Sequence, residues 1–453
     1  MKKFLWLLIF LGLFTVTSNI VLADEGVIQE TDSVTVTQAV IPEDTTAVAP
    51  VEKAKIDGAD TAFIILCSAL VMFMTPGLAL FYGGMVRRKN VLGTMMQSFV
   101  SLGVITIIWI FYGYSLAFGK DVGSFIGNLD FAFLKGVGLE PNGTIPHQLF
   151  MVFQMMFAIL TPALITGAFA ERFKFKSYLI FLVAWLTLVY CPVAHWVWGG
   201  GWISKLGGLD FAGGLVVHIA SGTAALVTIL VIGKRKGYQK EVMPPHSLPL
   251  TLLGTAILWF GWFGFNAGSA LAANSLAVSA FVATQIGAGA AVLGWMFIEW
   301  IMKGKPTLLG ALSGGVAGLV AITPASGFVS PISAVFIGLA GGLVCYFASV
   351  KIKEMLGYDD SLDVVGIHGV GGLVGALLTG IFASTLVNGA GANGSLSLVG
   401  IQAVSSIAVI VYVSIVTYVI LKIINAICGL RVDELEEQQG LDLSQHDESG
   451  YRF

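Results

Sequence analysis

The stretch Phe211-Ala212-Gly213-Gly214-Leu215-Val216-Val217-His218-Ile219-Ala220-Ser221-Gly222-Thr223-Ala224-Ala225-Leu226-Val227-Thr228-Ile229-Leu230-Val231-Ile232-Gly233 holds 23 residues with no fixed charge and one histidine, between Asp210 and the basic run Lys234-Arg235-Lys236. A helix rises about 1.5 Å per residue, so this run is long enough for the roughly 30 Å hydrocarbon core of a bilayer. The whole chain has the same character. Its 453 residues are 56% hydrophobic and 11% charged, with a mean hydropathy of +0.86. A soluble domain carries about 25% charged residues, and so sparse a polar supply cannot clothe an aqueous surface. The composition excludes a set of soluble domains and predicts an all-α polytopic membrane protein. A net charge of −3 carries no sign of nucleic-acid binding.

Eleven apolar stretches of this kind follow one another within a membrane domain set at 58–428: 59–82, 91–118, 147–170, 176–195, 211–233, 247–268, 276–301, 307–325, 331–350, 364–386 and 397–428. The basic residues sort the connections. Arg87, Arg88 and Lys89 follow span one, Arg172, Lys174 and Lys176 span three, and Lys234, Arg235, Lys236 and Lys240 span five. Lys303 with Lys305 and Lys351 with Lys353 follow spans seven and nine, while the opposite loops hold only Lys120, Lys135 and Lys205. The positive-inside rule makes the first set cytoplasmic. An odd number of spans then puts the mature N-terminus outside and the polar tail, 429–453, inside. Residues 1–23 read as a signal peptide, with Lys2 and Lys3 before the apolar run Phe4–Phe14 and a small-residue cleavage site at Val21-Leu22-Ala23; a retained transmembrane helix is the alternative. Residues 24–57 are polar and aperiodic and read as a flexible exported segment. The 56 glycines recur inside the spans, where small residues let helices approach closely in lipid. Cys67, Cys191, Cys345 and Cys428 lie in apolar runs without metal-ligand spacing and read as small buried hydrophobes.

Spans five and ten echo one another. Asp210, His218, Gly222 and Ala225 in the first answer to Asp363, His368, Gly372 and Gly375 in the second. Each histidine has a small residue four and seven positions on, along its own helix face. Two similar halves of five spans must be inverted relative to each other, which sets a substrate site at the midplane between them. His218 and His368 are the two histidines deep within apolar spans, whereas His195 lies at a span end. A lone buried histidine is more often structural, but matched positions in inverted halves bring two rings together. Such a pair can share one proton, one ring donating and the other accepting.

Aromatic residues form a second theme. Phe153 and Phe157 are four apart on span three, and Trp262, Phe265 and Ser269 share a face of span six. Packing alone is the common explanation of such stripes. The run His195-Trp196-Val197-Trp198-Gly199-Gly200-Gly201 points further, because an indole held on a glycine turn can bind a cation through its π face. A headgroup anchor is the competing explanation for a boundary tryptophan. No nucleotide-binding motif, zinc spacing or Ser-His-Asp constellation stands in the chain, and nothing in it speaks for an enzyme, a cofactor or a catalytic residue.

Several segments closely resemble the ammonium transporter family (Amt/MEP, relatives of the Rhesus proteins). They are Asp60-Thr61-Ala62-Phe63, Thr75-Pro76-Gly77-Leu78-Ala79-Leu80-Phe81-Tyr82-Gly83-Gly84, Ala168-Phe169-Ala170-Glu171-Arg172, Ala194 through Gly201, Asp210 through His218, Gly261 through Ser269, and Asp363 through Gly369. The resemblance covers about 56–446. It implies eleven helices in five-plus-five inverted repeats with one extra helix, assembled as a homotrimer with one pore per subunit in a bacterial inner membrane. It also implies an outer ammonium site at Trp198, Phe157 and Ser269, a gate of Phe157 and Phe265, and a hydrophobic pore lined by His218, His368 and Trp262. Asp210 matches an acidic residue with an orienting and electrostatic role. Trp198 and Ser269 favour the ammonium branch over the Rhesus branch. The tail Gly440-Leu441-Asp442-Leu443-Ser444-Gln445-His446 resembles one that contacts the trimeric PII signalling protein. The implied function is passage of ammonium or ammonia across the bilayer. The alternative is an ammonium sensor, whose family versions carry appended signalling domains where this tail has about 25 residues.

Overall fold

The computed structural model describes residues 55–451. The expected signal peptide and nearly all of the exported segment lie outside the described residues. Among those described, ten helices are long and apolar enough to cross a membrane: Gly58–Met85, Arg88–Phe118, His147–Phe169, Phe175–Leu206, Gly214–Ile232, Leu248–Ala270, Ser275–Lys303, Pro331–Leu356, Val365–Phe382 and Leu396–Cys428. A shorter apolar helix, Leu308–Ile322, stands where span eight is expected. We number these eleven in chain order as spans one to eleven. The eighth has only 15 residues because Thr323–Val329 continues as turns rather than helix, all of it buried. Irregular backbone is tolerated at such depth only inside protein. Here the Pro324 carbonyl accepts from Phe211 N–H and the Thr323 hydroxyl accepts from the Trp262 indole, at 3.1 and 2.8 Å.

Local chemistry sets the helix starts. Asp57, Ser247, Asn274, Thr307, Ser330 and Ser395 each accept a first-turn N–H at the beginning of spans one, six, seven, eight, nine and eleven, satisfying donors that a helix cannot satisfy itself. Burial is distributed as a bilayer demands. Phe99, Leu230, Phe260, Phe297 and Ile415 are exposed, whereas Ser98, Thr161, His218, Asn266, Thr284, Gln402 and Thr417 are buried. Water would drive the apolar groups inward; lipid leaves them outside and drives polar groups to partners within. Between spans two and three lie two small antiparallel hairpins, Asp121–Val122 with Ile126–Gly127 and Pro141–Asn142 with Ile145–Pro146.

The loops after spans one, three, five and nine meet on one face. Glu171 accepts from the backbone and guanidinium of Arg87 at 2.7 and 2.8 Å and from Arg235 at 3.3 Å. Arg235 also grips Asp359 through its backbone N–H and its guanidinium. Arg172, fully buried, donates to the carbonyls of Gly233 and Asp359 and to Ser361. The tail joins this face: Val432 N–H donates to the Arg172 carbonyl, Arg431 and Lys236 N–H to Glu437, and Leu441 N–H to Asn90. The three loops that share a positive charge are thus tied to one another, and to the loop after span nine that supplies Asp359, by interleaved carboxylates.

Burial works against the Glu171 carboxylate, but Arg235 and then Arg87 outweigh it and hold its pKa below the ordinary glutamate range. Removing one partner of a buried pair costs about 3 kcal/mol or more. Glu171→Gln should therefore lower the thermal unfolding midpoint in detergent. A depressed pKa contributes stability above the ordinary carboxylate range that is lost as pH falls through the native value, so the gap from wild type should narrow on acidification. Equal midpoints at neutral pH would show that the network adds nothing.

Candidate functional site

Asp210 builds the site from the backbone outward. Its carboxylate accepts N–H groups from Gly213, Gly214, Leu215 and Val216 at 2.9, 2.6, 2.7 and 3.3 Å. These are the unpaired donors at the start of span five. Burial pushes the carboxyl above its usual range, and those four N–H groups pull it back without cancelling the effect. The Asp210 carbonyl meanwhile accepts the Trp198 indole N–H at 3.0 Å. One residue thereby fixes both Trp198 and the segment that carries His218.

From Trp198 a file of rings runs into the protein. Phe157 lies edge-on to Trp198, centroids 5.9 Å apart, and packs against Phe265 at 4.3 Å. Phe265 lies 6.1 Å from His218, whose ring stacks on Trp262 at 5.4 Å. His218 and His368 then meet with Nδ1 atoms 3.2 Å apart and rings inclined by 26°. Phe157, Phe265, Trp262 and both histidines are buried, and Trp198 and Ser269 are partly exposed at the other end. Ser269 donates its hydroxyl to the Phe265 carbonyl at 2.9 Å, which leaves the oxygen lone pairs available to a donor. The structure thus brings together Trp198, Phe157, Phe265, Trp262, His218 and His368, with Asp210 bonded to the Trp198 indole and Ser269 bonded to the Phe265 backbone.

Each histidine sits in a helical turn wider than an α-turn, Gly214–Ile219 for His218 and Val365–Val370 for His368. Such π-turns recur at functional sites because they re-aim a side chain within a helix. Glycine lets span five, just past the first turn, meet the second: a Cβ on Gly222 would lie 2.2 Å from the Gly369 Cα and amide nitrogen. If the two Nδ1 atoms share a hydrogen bond, one ring donates and the other accepts. His218 Nε2 has no hydrogen-bond partner, so the pair presents an unspent polar atom among apolar walls.

The sequence echo needs a correction. Asp360, rather than Asp363, holds the place of Asp210 in the second half, with Oδ2 accepting the Val365 N–H at 2.7 Å where span ten begins. It precedes His368 by eight residues, as Asp210 precedes His218. That spacing is visible in the chain and was the signal available. Asp363 pairs with Lys353 instead. Thr323, which fixes Trp262, carried no comparable mark. Among the described residues no group of three or more His, Cys, Asp or Glu is arranged to hold a metal ion.

The model of the Ammonium Transporter Family matches residues 62–451. The chain belongs to that family. Its similarity to the ammonium transporter of Bacillus subtilis is 54% identity over 400 residues, covering 87% of this chain and 98% of the relative. The solved structure of Saccharomyces cerevisiae Mep2 superposes with a TM-score of 0.79 at 40% identity, covering 84% of this chain and 88% of that one. A solved sensor Amt protein gives a TM-score of 0.81 at 29% identity, covering 86% and 98%. As a member of the Ammonium Transporter Family with ten such apolar helices among the described residues, the chain is a multi-pass membrane protein.

Overpacking a tight contact costs about 1–3 kcal/mol. Gly222→Ala should therefore lower both the unfolding midpoint and ammonium flux, while Gly289→Ala, where an added Cβ meets nothing within 4 Å, should change neither. Equal behaviour of the two variants would mean that the histidine-bearing turns tolerate separation.

Proposed function

We propose that this protein carries ammonium across the membrane by recruiting the cation at Trp198, Phe157 and Ser269, removing its proton at the Phe157–Phe265 gate, and passing ammonia along His218, His368 and Trp262. The observation that supports this reading is the unbroken file of rings ending in the histidine pair, Nδ1 to Nδ1 at 3.2 Å. Membership of the Ammonium Transporter Family supports the substrate. Greater identity to a named transporter (54%) than to the sensor protein (29%) favours transport over sensing.

The chemistry follows from desolvation. Potassium resembles ammonium in size and charge, and moving either ion into a low-dielectric pore costs on the order of 20 kcal/mol in the idealised limit. Ammonium escapes that cost by leaving its proton behind. The π face of a desolvated indole contributes about 2 kcal/mol toward holding the cation, and the Ser269 oxygen accepts one N–H. Beyond the two phenyl rings the surroundings disfavour charge, so the neutral form advances. The histidine pair offers that ammonia polar contacts among the ring walls, and a shared proton gives the released proton a route.

The same reading sets eleven spans as two inverted halves of five plus a final helix, in a homotrimer with a pore in each subunit. It places the protein in a bacterial inner membrane, with residues 1–23 as signal, 24–57 exported, the 58–428 membrane domain, and the 429–453 tail in the cytoplasm, where a PII protein is its candidate partner. The basic loops after spans one, three and five, with the tail packed on them, support the sidedness.

The test is the response of proteoliposomes to ammonium jumps. Trp198→Leu should raise the half-saturating ammonium concentration by about tenfold or more, as loss of a desolvated cation–π contact requires. Unchanged affinity would reduce Trp198 to a membrane anchor. His368→Gln keeps hydrogen-bonding groups but cannot take a proton at neutral pH. It should abolish ammonium-evoked current while ammonia still enters. Persistence of wild-type, ammonium-selective current in both His218→Ala and His368→Ala would show the pair to be structural.

A further inference from the structure

His195 has no part in the ring file, yet it is fully buried beside it. Its Nδ1 lies 2.9 Å from the carbonyl oxygen of Ala117, at the end of span two. Its Nε2 lies 2.9 Å from a carboxylate oxygen of Asp121, in the first hairpin. A carbonyl oxygen only accepts, so Nδ1 donates to it. The other Asp121 oxygen takes the Lys205 ammonium at 2.6 Å. Hydrogen bonds from Lys205 and then from His195 hold the Asp121 carboxyl below its usual range, so this carboxylate accepts as well. Both ring nitrogens thus face an acceptor, and the geometry has each of them donate.

The backbone of the same residue supports the turn behind Trp198. The His195 carbonyl accepts from Gly199 N–H at 3.0 Å and Gly201 N–H at 2.9 Å. Gly199 sits so close that a Cβ there would lie 2.2 Å from the Ala117 oxygen and 2.5 Å from His195 Nδ1. Ring, carbonyl and glycine turn form one compact unit, with Trp198 projecting from it to the Asp210 carbonyl.

We propose that His195 is a positioning residue for the recruitment site, holding the Trp198 turn against span two and the first hairpin by donating from both ring nitrogens. The proposal rests on the reading of Trp198 as a wall of that site. The His195 ring bonds to Ala117 and Asp121, outside the ring file, so it acts through the placement of Trp198 and leaves the gate and the histidine pair alone.

The experiment measures ammonium-dependent flux into proteoliposomes for His195→Gln, Trp198→Leu and the double variant, with nitrogen-15 spectra of histidine-labelled protein. Glutamine donates on one side only. We expect His195→Gln to raise the half-saturating concentration about tenfold and to leave the maximal flux within about twofold, since capture and not passage is disturbed. The double variant should be no worse than Trp198→Leu alone, because both changes remove the same contact. The resonances lost in His195→Gln should be those of two protonated ring nitrogens at neutral pH. If Trp198→Leu itself leaves affinity unchanged, the recruitment site is misread. If Trp198→Leu weakens affinity and His195→Gln does not, only the role of His195 is overturned. A fall in maximal flux at constant affinity, additive effects, or one bare ring nitrogen would overturn it too. Should His195→Gln not assemble, Asp121→Asn removes the charge from the partly exposed partner and should shift affinity the same way, by about threefold; no shift there rejects the proposal.

Discussion

Four backbone N–H groups at the start of span five have no helical acceptors, and the single carboxylate of Asp210 takes them all. Much of the site hangs from that arrangement. It lets a helix begin in the protein interior, where unpaired donors are costly. It holds the short turn before Gly214, and through its own carbonyl it fixes the Trp198 indole. The first wall of the site and the first histidine of the pair are therefore placed by one residue. Asp360 repeats the device more sparingly at the start of span ten.

The histidines show what the membrane setting demands of polar groups. Imidazole in an apolar span is expensive, and the structure offsets this by pairing two rings and stacking that of His218 on Trp262. The pair is reached through close backbone approach, Gly222 on Gly369, and through π-turns that re-aim both side chains. Selectivity in the proposed mechanism comes from the same economy of polar groups: a file with few of them admits a neutral molecule and rejects an ion that cannot become neutral.

The opposite face solves a different problem. Loops rich in arginine and lysine repel one another when gathered together, yet Glu171, Asp359 and Glu437 are set between them. Each carboxylate bridges segments far apart in the chain, so the charge that orients the spans also locks their ends. The tail lies across this network and bonds to Asn90 and Gly93 at the start of span two, which makes it part of the folded body.

Hydropathy alone determined that the chain is helical and crosses a membrane, because a span needs only length and apolar content. The expected stretches agree with the observed helices to within a few residues at most ends. They depart where tertiary bonds override periodicity. Span five begins at Gly214 rather than 211 because Asp210 holds the intervening residues in a turn, and span four runs on to Leu206 through the glycine turn. Span eight ends at Ile322 because Thr323 and Pro324 are bonded to spans six and five. The histidines were legible as an oddity, ionisable groups where lipid disfavours them, and the aromatic members as a stripe along one helix face. The contact between His218 and His368 was expected from their matched places in two inverted halves, but the distances along the file and the atoms that meet, Nδ1 to Nδ1, came only with the fold. The partners of Asp360 and His195 were hidden for the same reason. A carboxylate bound to amides of the next helix, or a ring bound to another span's carbonyl, leaves no pattern in the chain, since every residue carries a backbone N–H or C=O and only the packing decides which one is used.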